Sequence, residues 1–264
     1  MRKFWTKQED DILYDNYYDL PTEELQQLLP CRTWNAIKLR ARKLDLYRSL
    51  SLARKSNMKN LLNGSVTSFY WVGFILADGH IENNNRLTVT LSAKDIDHLS
   101  KLAAFLNTSI REGVTKLGDN TYGIATIACK DIDNIPFICN VFDIDNNKTE
   151  NPPDFSSYVF TNEQVISLII GFIDGDGSIT KLHNRSDVNL RIKCHSSWLD
   201  NLLFIERTVY DYCSIPYKNP PLSKLNTQGY ASLCISNNDI IRELRDFCIR
   251  RELPILERKW SKIL

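Results

Sequence analysis

The stretch Trp71-Val-Gly-Phe-Ile-Leu-Ala-Asp-Gly-His-Ile81 returns 98 residues later as Ile169-Ile-Gly-Phe-Ile-Asp-Gly-Asp-Gly-Ser-Ile179. Self-similarity at that spacing means a duplicated small subdomain. Each copy reads as an apolar helix ending in Asp-Gly, and the second opens on a capping box at Thr161 and Gln164. Small residues fall four apart in both, Gly73 with Ala77 and Gly171 with Gly175, leaving a bare stripe along which two backbones can approach. The two helices are expected to pack side by side with the same polarity. Asp78 and Asp176 then meet at helix C-termini that already carry partial negative charge. A divalent cation between the carboxylates offsets their repulsion, and oxygen-only ligation points to Mg2+. A plain Asp-Gly turn accounts for one copy; two copies with the same flanking Gly-Phe-Ile favour a metal site.

Outward from the repeat, Arg86 to Ser92 alternates Leu87, Val89 and Leu91 with Thr88, Thr90 and Ser92, the period of a half-buried strand. Residues 94–106 read as a helix, 110–116 and 121–129 as strands joined through Leu117-Gly-Asp-Asn120, and 132–141 as a short helix. In the second copy Val188 to His195 sets Leu190, Ile192 and Cys194 against Asn189, Arg191, Lys193 and His195, a strongly cationic face. Such a face suits the major groove. Any solvent-facing strand alternates in this way, so only the sum over both copies has weight.

Gly-Phe-Ile-Leu-Ala-Asp-Gly and Gly-Phe-Ile-Asp-Gly-Asp-Gly resemble the two LAGLIDADG motifs of a single-chain homing endonuclease, a resemblance extending over residues 66–264. It implies an α+β fold of two pseudo-symmetric αββαββα subdomains, 66–155 and 156–264, forming a DNA-binding saddle. It also implies a site-specific endonuclease that recognises a long asymmetric duplex and hydrolyses one phosphodiester on each strand with Mg2+. Asp78 and Asp176, with the backbone carbonyls of Ala77 and Gly175, would hold the metal. The family's sheets lie on DNA, which nominates Arg86, Thr88, Thr90, Lys181, Arg185, Arg191, Lys193, His195 and Lys224. Lys148 and Lys259 resemble the family's catalytic basic residues near the cleaved phosphates, where a lysine stabilises developing charge or orders the attacking water. One departure is Leu76 where the second copy has Asp174. Two residues before the motif aspartate, that position points elsewhere on the helix, and Asp174 is expected to satisfy a local polar contact.

The formal net charge of +1 hides an uneven distribution, because residues 31–60 carry nine Lys and Arg against one Asp. Ahead of and within that block, Thr6 with Glu9 makes a capping box before Ile12, Leu13 and Tyr17, predicting a first helix that ends near Asp19. Thr22 caps a second helix through Leu25, Leu28 and Leu29, and Thr33 a third, with Trp34, Ile37, Ala41 and Leu44 on one stripe. Three short helices with a basic third describe a helix-turn-helix whose third helix enters the major groove, making Arg32, Asn35, Lys38 and Arg42 candidates for DNA contact. Phe-Trp-Thr-Lys-Gln-Glu-Asp together with Arg-Thr-Trp-Asn-Ala-Ile-Lys-Leu-Arg-Ala-Arg-Lys-Leu resembles a Myb/SANT-like module over residues 1–47, with Trp5 and Trp34 in its core; a protein-binding helical module is the alternative. Residues 48–65 are expected to be a basic linker whose Arg54 and Lys55 track phosphates.

Charged residues at 25% and no apolar run near the roughly 20 residues of a membrane span argue against a membrane protein. The N-terminus lacks a secretion-signal pattern, so an intracellular location in the compartment holding the target DNA is expected. Seven scattered cysteines fit reduced thiols better than a disulfide or zinc framework. Double-stranded DNA is the expected partner of a monomer needing no other protein. Met1 and Leu264 lack the residues that splicing at the ends would need, so an intein is not expected. The alternative function is a DNA-binding regulator or splicing maturase that kept the fold and lost cleavage; the retained aspartate pair counts against it. A plain Myb-like transcription factor leaves most of the chain unexplained.

Overall fold

Residues 4–17, 20, 22–46, 56–82, 85–181, 188–217 and 221–263 are described by the computed structural model. The backbone divides into two units, Met1–Lys55 and Ser56–Leu264. In the first, α1 (Lys7–Asn16), α2 (Thr22–Leu28) and α3 (Trp34–Lys43) enclose Leu13, Tyr17, Leu25, Leu29, Ile37 and Ala41, with Trp5 and Trp34 packed against them. The local signals are in place. Thr6 accepts from the Glu9 amide while Glu9 accepts from the Thr6 amide, and Thr33 accepts from the Ala36 amide. The first helix stops short of Asp19, at Asn16, whose side-chain amide donates to the Ile12 carbonyl.

The second unit repeats one order of elements. The first copy runs α4 (Val66–Asp78), β1 (Gly79–Glu82), β2 (Arg86–Ser92), α5 (Ile96–Phe105), β3 (Arg111–Leu117), β4 (Asn120–Lys130) and α6 (Asn134–Val141). The second runs α7 (Asn162–Asp176), β5 (Gly177–Lys181), β6 (Val188–Cys194), α8 (Leu199–Tyr212), β7 (Lys224–Leu225), β8 (Ala231–Ile235) and α9 (Asn238–Arg250), followed by α10 (Glu257–Trp260). Each copy builds one antiparallel sheet, in the orders β1-β2-β4-β3 and β5-β6-β8-β7. One face of each sheet joins a continuous core. Leu87, Val89, Ala125 and Ile127 pack there from the first copy and Ile179, Leu190, Ile192 and Leu233 from the second, around Phe74 of α4 and Phe172 of α7.

The expected linker needs correction at its far end. Residues 47–55, including Arg54 and Lys55, lie outside the described residues, but Met58–Leu62 is a turn of 3-10 helix whose Met58 and Leu61 are buried in the larger core. Asn60 donates to the Phe105 carbonyl at 2.6 Å, and the Asn57 amide to that of Leu106 at 2.7 Å. Apolar residues three apart in a polar context are enough to dock one short turn, and too few to set up a helical period. Among the described residues no helix is long and apolar enough to cross a membrane.

Candidate active site at the helix crossing

The duplicated helices α4 and α7 run parallel and touch backbone to backbone. From N- to C-terminus, Gln164 donates to the Gly64 carbonyl at 2.8 Å, Ser167 donates to that of Val66 at 2.5 Å, and Gly175 faces Ala77. A Cβ on Gly73 would stand 1.9 Å from the Leu168 carbonyl oxygen, and one on Gly171 1.9 Å from that of Tyr70. The 98-residue shift carries the first contact onto the second, so the crossing is two-fold in its backbone. Only glycine permits this approach.

Both helices end on the motif aspartate. Gly79 and Gly177 donate back to Ile75 and Ile173, and a Cβ on either would stand 2.5 Å from that same carbonyl oxygen. Close approach, and not an unusual φ, requires glycine at these caps. Asp78 is half-buried and Asp176 more open. Burial and the neighbouring Asp176 push the Asp78 carboxyl up to about 6, while Lys259 and Lys148 pull it back. Burial raises the Asp176 carboxyl as well, against the same two lysines.

Those lysines reach the helix ends from separate segments, Lys148 from the turns after α6 and Lys259 from α10. Lys148 donates to the Ala77 carbonyl at 3.1 Å. Buried Lys259 donates to the carbonyls of Ile173, Asp174 and Gly175, at 3.0, 2.5 and 3.2 Å. Cations at helix C-termini satisfy carbonyls that have no partner within the helix. Burial lowers both ammonium pKa values; Asp176 and Asp78 oppose this at Lys148, and Asp174 leads the opposition at Lys259. The carbonyls of Ala77 and Gly175, expected as metal ligands, thus each accept a lysine, with one lone pair left over. Among the described residues no three His, Cys, Asp or Glu side chains gather as a metal cage. Two carboxylates with carbonyl oxygens make an all-oxygen set that fits Mg2+, a cation that usually keeps waters and takes ligands from substrate phosphates.

Asp174 lies behind this cluster, buried, and its carboxylate accepts from Tyr70 Oη at 2.7 Å, Trp260 Nε1 at 2.7 Å and the Leu256 amide at 2.9 Å. His98, lodged against Tyr70, Trp71 and Phe74, approaches Tyr70 Oη at 3.3 Å, and burial pushes its pKa down to about 4. Leu76, the counterpart of Asp174, is simply buried.

The outer sheet faces hold most of the nominated strand residues. On the first sheet Arg86, Thr88 and Thr90 lie on one row, with Arg86 3.7 Å from Glu82 and Thr90 bonded to Thr126 at 2.9 Å. The register adds Lys130 opposite Arg86 and Arg111 opposite Thr126, two cations not singled out from sequence. Their signal was the phase of β4, where buried Ala125, Ile127 and Cys129 leave Thr126, Ala128 and Lys130 on the other side. On the second sheet Arg191, Lys193 and Lys224 are exposed, and strands β5 to β8 contain no acidic residue. Lys193 sits 4.4 Å over the Tyr230 ring and donates to Gln228. Two expectations change. Lys181 shares the strand parity of buried Gly177 and Ile179, so it is exposed only because the strand ends there. His195 lies past β6 and caps the turn Ser196–Trp198. Arg185 lies outside the described residues.

In the first unit Arg32, expected to contact DNA, is engaged by partners within the unit. Its guanidinium grips Glu9 with Nε–Oε1 at 2.7 Å, donates to the Phe4 carbonyl and lies 4.4 Å over the Trp5 ring. Arg40 similarly pairs with Asp10. Arg40 ties α3 to α1 and Arg32 ties the turn before α3 to it, and the Arg32 contact holds the Glu9 carboxyl down at about 2. Asn35, Lys38 and Arg42 are exposed on α3, together with Leu39 and Lys43.

No protein-family model matches this sequence, and no curated protein sequence matches it. Among solved structures, the homing endonuclease I-WcaI bound to its DNA recognition sequence superposes with a TM-score of 0.58 at 12% identity, covering 85% of this chain and 97% of that one. Meganuclease I-SmaMI bound to uncleaveable DNA gives 0.44 at 14% identity over 76% and 90% of the two chains. The LAGLIDADG homing endonuclease I-GzeII in complex with its DNA target gives 0.42 at 14% over 74% and 88%. The mixed fold with two four-stranded antiparallel sheets is that of the LAGLIDADG endonucleases.

Proposed function

We propose that this chain is a Mg2+-dependent, site-specific DNA endonuclease that cuts one phosphodiester on each strand of a long asymmetric duplex. The carrying observation is the glycine crossing, which brings Asp78 and Asp176 to one end of α4 and α7 with a lysine at each helix end. The shared fold with I-WcaI, solved on its DNA recognition sequence, supports DNA as the ligand.

Asp78 and Asp176 are the residues that would hold Mg2+, together with the carbonyl oxygens of Ala77 and Gly175. The bound ion supplies Lewis-acid polarisation of the scissile phosphate and a more acidic water. Lys148 and Lys259, whose ammonium form the carboxylates favour against the effect of burial and which helix-end carbonyls fix in place, stand ready for the negative charge that develops on the phosphate. Arg86, Arg111 and Lys130 on one sheet, with Arg191, Lys193 and Lys224 on the other, neutralise backbone phosphates along the groove; Thr88 and Thr90 offer hydroxyls to base edges. The first unit acts as a Myb/SANT-like helix-turn-helix that presents Asn35, Lys38 and Arg42 to neighbouring duplex, with Arg54, Lys55 and Arg185 adding phosphate contacts. One chain carries both halves of the site, so it works as a monomer on DNA inside the cell.

The second reading, a DNA-binding regulator or maturase without cleavage, is favoured by one observation: lysines already occupy the carbonyls that would complete the metal site. Incubating the full chain with a randomised duplex library, in Mg2+ or in chelator, and sequencing new ends separates the two. Recurrent paired cuts that need Mg2+ and vanish in Asp78→Asn and Asp176→Asn support the nuclease. Enrichment of bound sequences without new ends refutes it.

A further inference from the structure

The segments that carry the two lysines are each anchored by the opposite copy. Lys259 belongs to the second copy, in the short helix α10 that follows α9. Its neighbour Arg258 grips Asp95 of the first copy, Nε to Oδ1 at 2.5 Å and Nη2 to Oδ2 at 2.8 Å. Asp95 is buried at the end of the 3-10 turn Ala93–Asp95 that leads into α5. Lys101 of α5 adds a bond to the Ile255 carbonyl at 3.3 Å and lies 3.6 Å from Glu257. Lys148 belongs to the first copy, in the loop after α6. There Trp198 Nε1 of the second copy donates to the Lys148 carbonyl at 3.1 Å, and Ser197 Oγ to that of Thr149 at 2.6 Å. Ser197 and Trp198 sit in the turn Ser196–Trp198 leading into α8, the place in the second copy that corresponds to Ala93–Asp95 in the first.

The exchange is reciprocal in position but different in chemistry. The Lys259 segment is held chiefly by a bidentate ion pair and the Lys148 loop by two neutral donors. Neither anchor touches an ammonium group. Each holds backbone or a side chain at or beside the lysine, which fixes where a long flexible stem begins and so where its Nζ arrives. We infer that Asp95, acting through Arg258, and Trp198 with Ser197, acting through the carbonyls of Lys148 and Thr149, are positioning residues, each setting the lysine of the opposite copy.

The inference rests on the proposal that Lys148 and Lys259 serve the cleavage site, and two readouts on the full chain keep the two apart. The first is acylation of lysines by a succinimidyl ester, quantified by mass spectrometry, which needs no substrate and no activity. Asp95→Asn raises labelling of Lys259 several-fold and leaves Lys148 at its wild-type level; Ser197→Ala and Trp198→Phe do the reverse. The exchange Asp95→Arg with Arg258→Asp restores protection of Lys259. The second readout is cleavage of the library-selected duplex under saturating DNA. A misplaced group costs roughly 10-fold to 100-fold in kcat with KM unchanged, and the exchanged pair recovers most of it. Labelling that rises equally at both lysines, or at neither, overturns the inference whether or not the protein cuts DNA. Ser197→Ala, which removes a single hydroxyl, tests it even if Asp95→Asn fails to fold. Segregated labelling in a protein that never cuts leaves the positioning intact and sinks only the nuclease proposal.

Discussion

Replacing Gly171 by alanine tests the crossing at its tightest point. The new methyl would stand 1.9 Å from the Tyr70 carbonyl oxygen, 2.8 Å from its carbon and 2.9 Å from the Phe74 nitrogen, all backbone atoms that cannot swing aside. To reach ordinary contact, α4 and α7 must separate by roughly 1.5 Å, a gap that forfeits more than a quarter of the dispersion energy across the crossing. A loss of about 3 to 5 kcal/mol follows, above the usual 1–3 kcal/mol of an overpacked core. Gly73→Ala, its two-fold counterpart, is expected to cost the same within about 1 kcal/mol. The double variant should cost less than the two losses combined, because helices parted by one methyl have room for the second. Urea denaturation of the full chain followed by circular dichroism measures all three, and Gly113→Ala, whose methyl meets nothing nearer than 3.8 Å, serves as control. A Gly171→Ala protein within about 1 kcal/mol of wild type, or strict additivity in the double variant, would refute the rigid backbone crossing.

Three further outcomes are expected. Asp78→Asn stabilises the Mg2+-free protein at pH 7.5: the folded carboxyl titrates at about 6 against an ordinary 3.8, so the unfolded chain ionises first and wild-type stability falls as pH rises between those values. The gain is on the order of 2 kcal/mol after allowance for partial exposure, and it vanishes near pH 4; a variant less stable than wild type at pH 7.5 would contradict the assigned repulsion and burial. Asp174→Leu copies Leu76 but orphans the Trp260 indole and the Leu256 amide and leaves the Tyr70 hydroxyl only His98 at 3.3 Å, and should cost about 3 to 5 kcal/mol in urea denaturation. A neutral result would mean those donors find other partners. In the first unit, Arg32→Ala should lower the thermal stability of the three-helix module, whereas Lys38→Ala should leave it unchanged and reduce the salt-dependence slope of DNA binding by about one. Equal thermal effects from the two would remove the distinction between structural and DNA-facing cations in the three-helix module.

What could be read from sequence was what local chemistry determines. The capping boxes at Thr6 and Thr161, the glycine stripes and the phase of β2 and β6 all depend on residues within a turn or two of each other, and the repeat shows because one such short stretch is present twice. The parallel pairing of α4 with α7 followed because both stripes are bare at matching positions. What stayed hidden depends on partners distant in the chain. Arg32 looked like a DNA-facing cation because Glu9, 23 residues away, is brought to it only by folding. Arg258 and Asp95 are separated by 163 residues, so nothing local marks either one. Lys181 was counted with a cationic face because it is basic, although strand parity puts it with Ile179. Met58 and Leu61 were lost in a polar stretch too short for periodicity to show.

The polar knot at Asp174 bears on which halves can marry. The contacts of Gly73 and Gly171 are the same for either helix, but the end of the crossing is not, since Gly175 is matched to Ala77 and a Cβ there would stand 2.2 Å from the Ala77 Cβ, so α4 could not pair with its own copy unchanged. Asp174 discriminates as well. It takes one donor from Tyr70, whose counterpart in the second copy is Leu168, and its own counterpart in the first copy is Leu76, which has no carboxylate. Two second halves together would each bury an aspartate lacking that phenol, and two first halves would each leave the phenol only its longer 3.3 Å contact with His98. The seam therefore discriminates between self and sister through desolvation penalties, and a severed or recombined half should seek the unlike partner over its own twin.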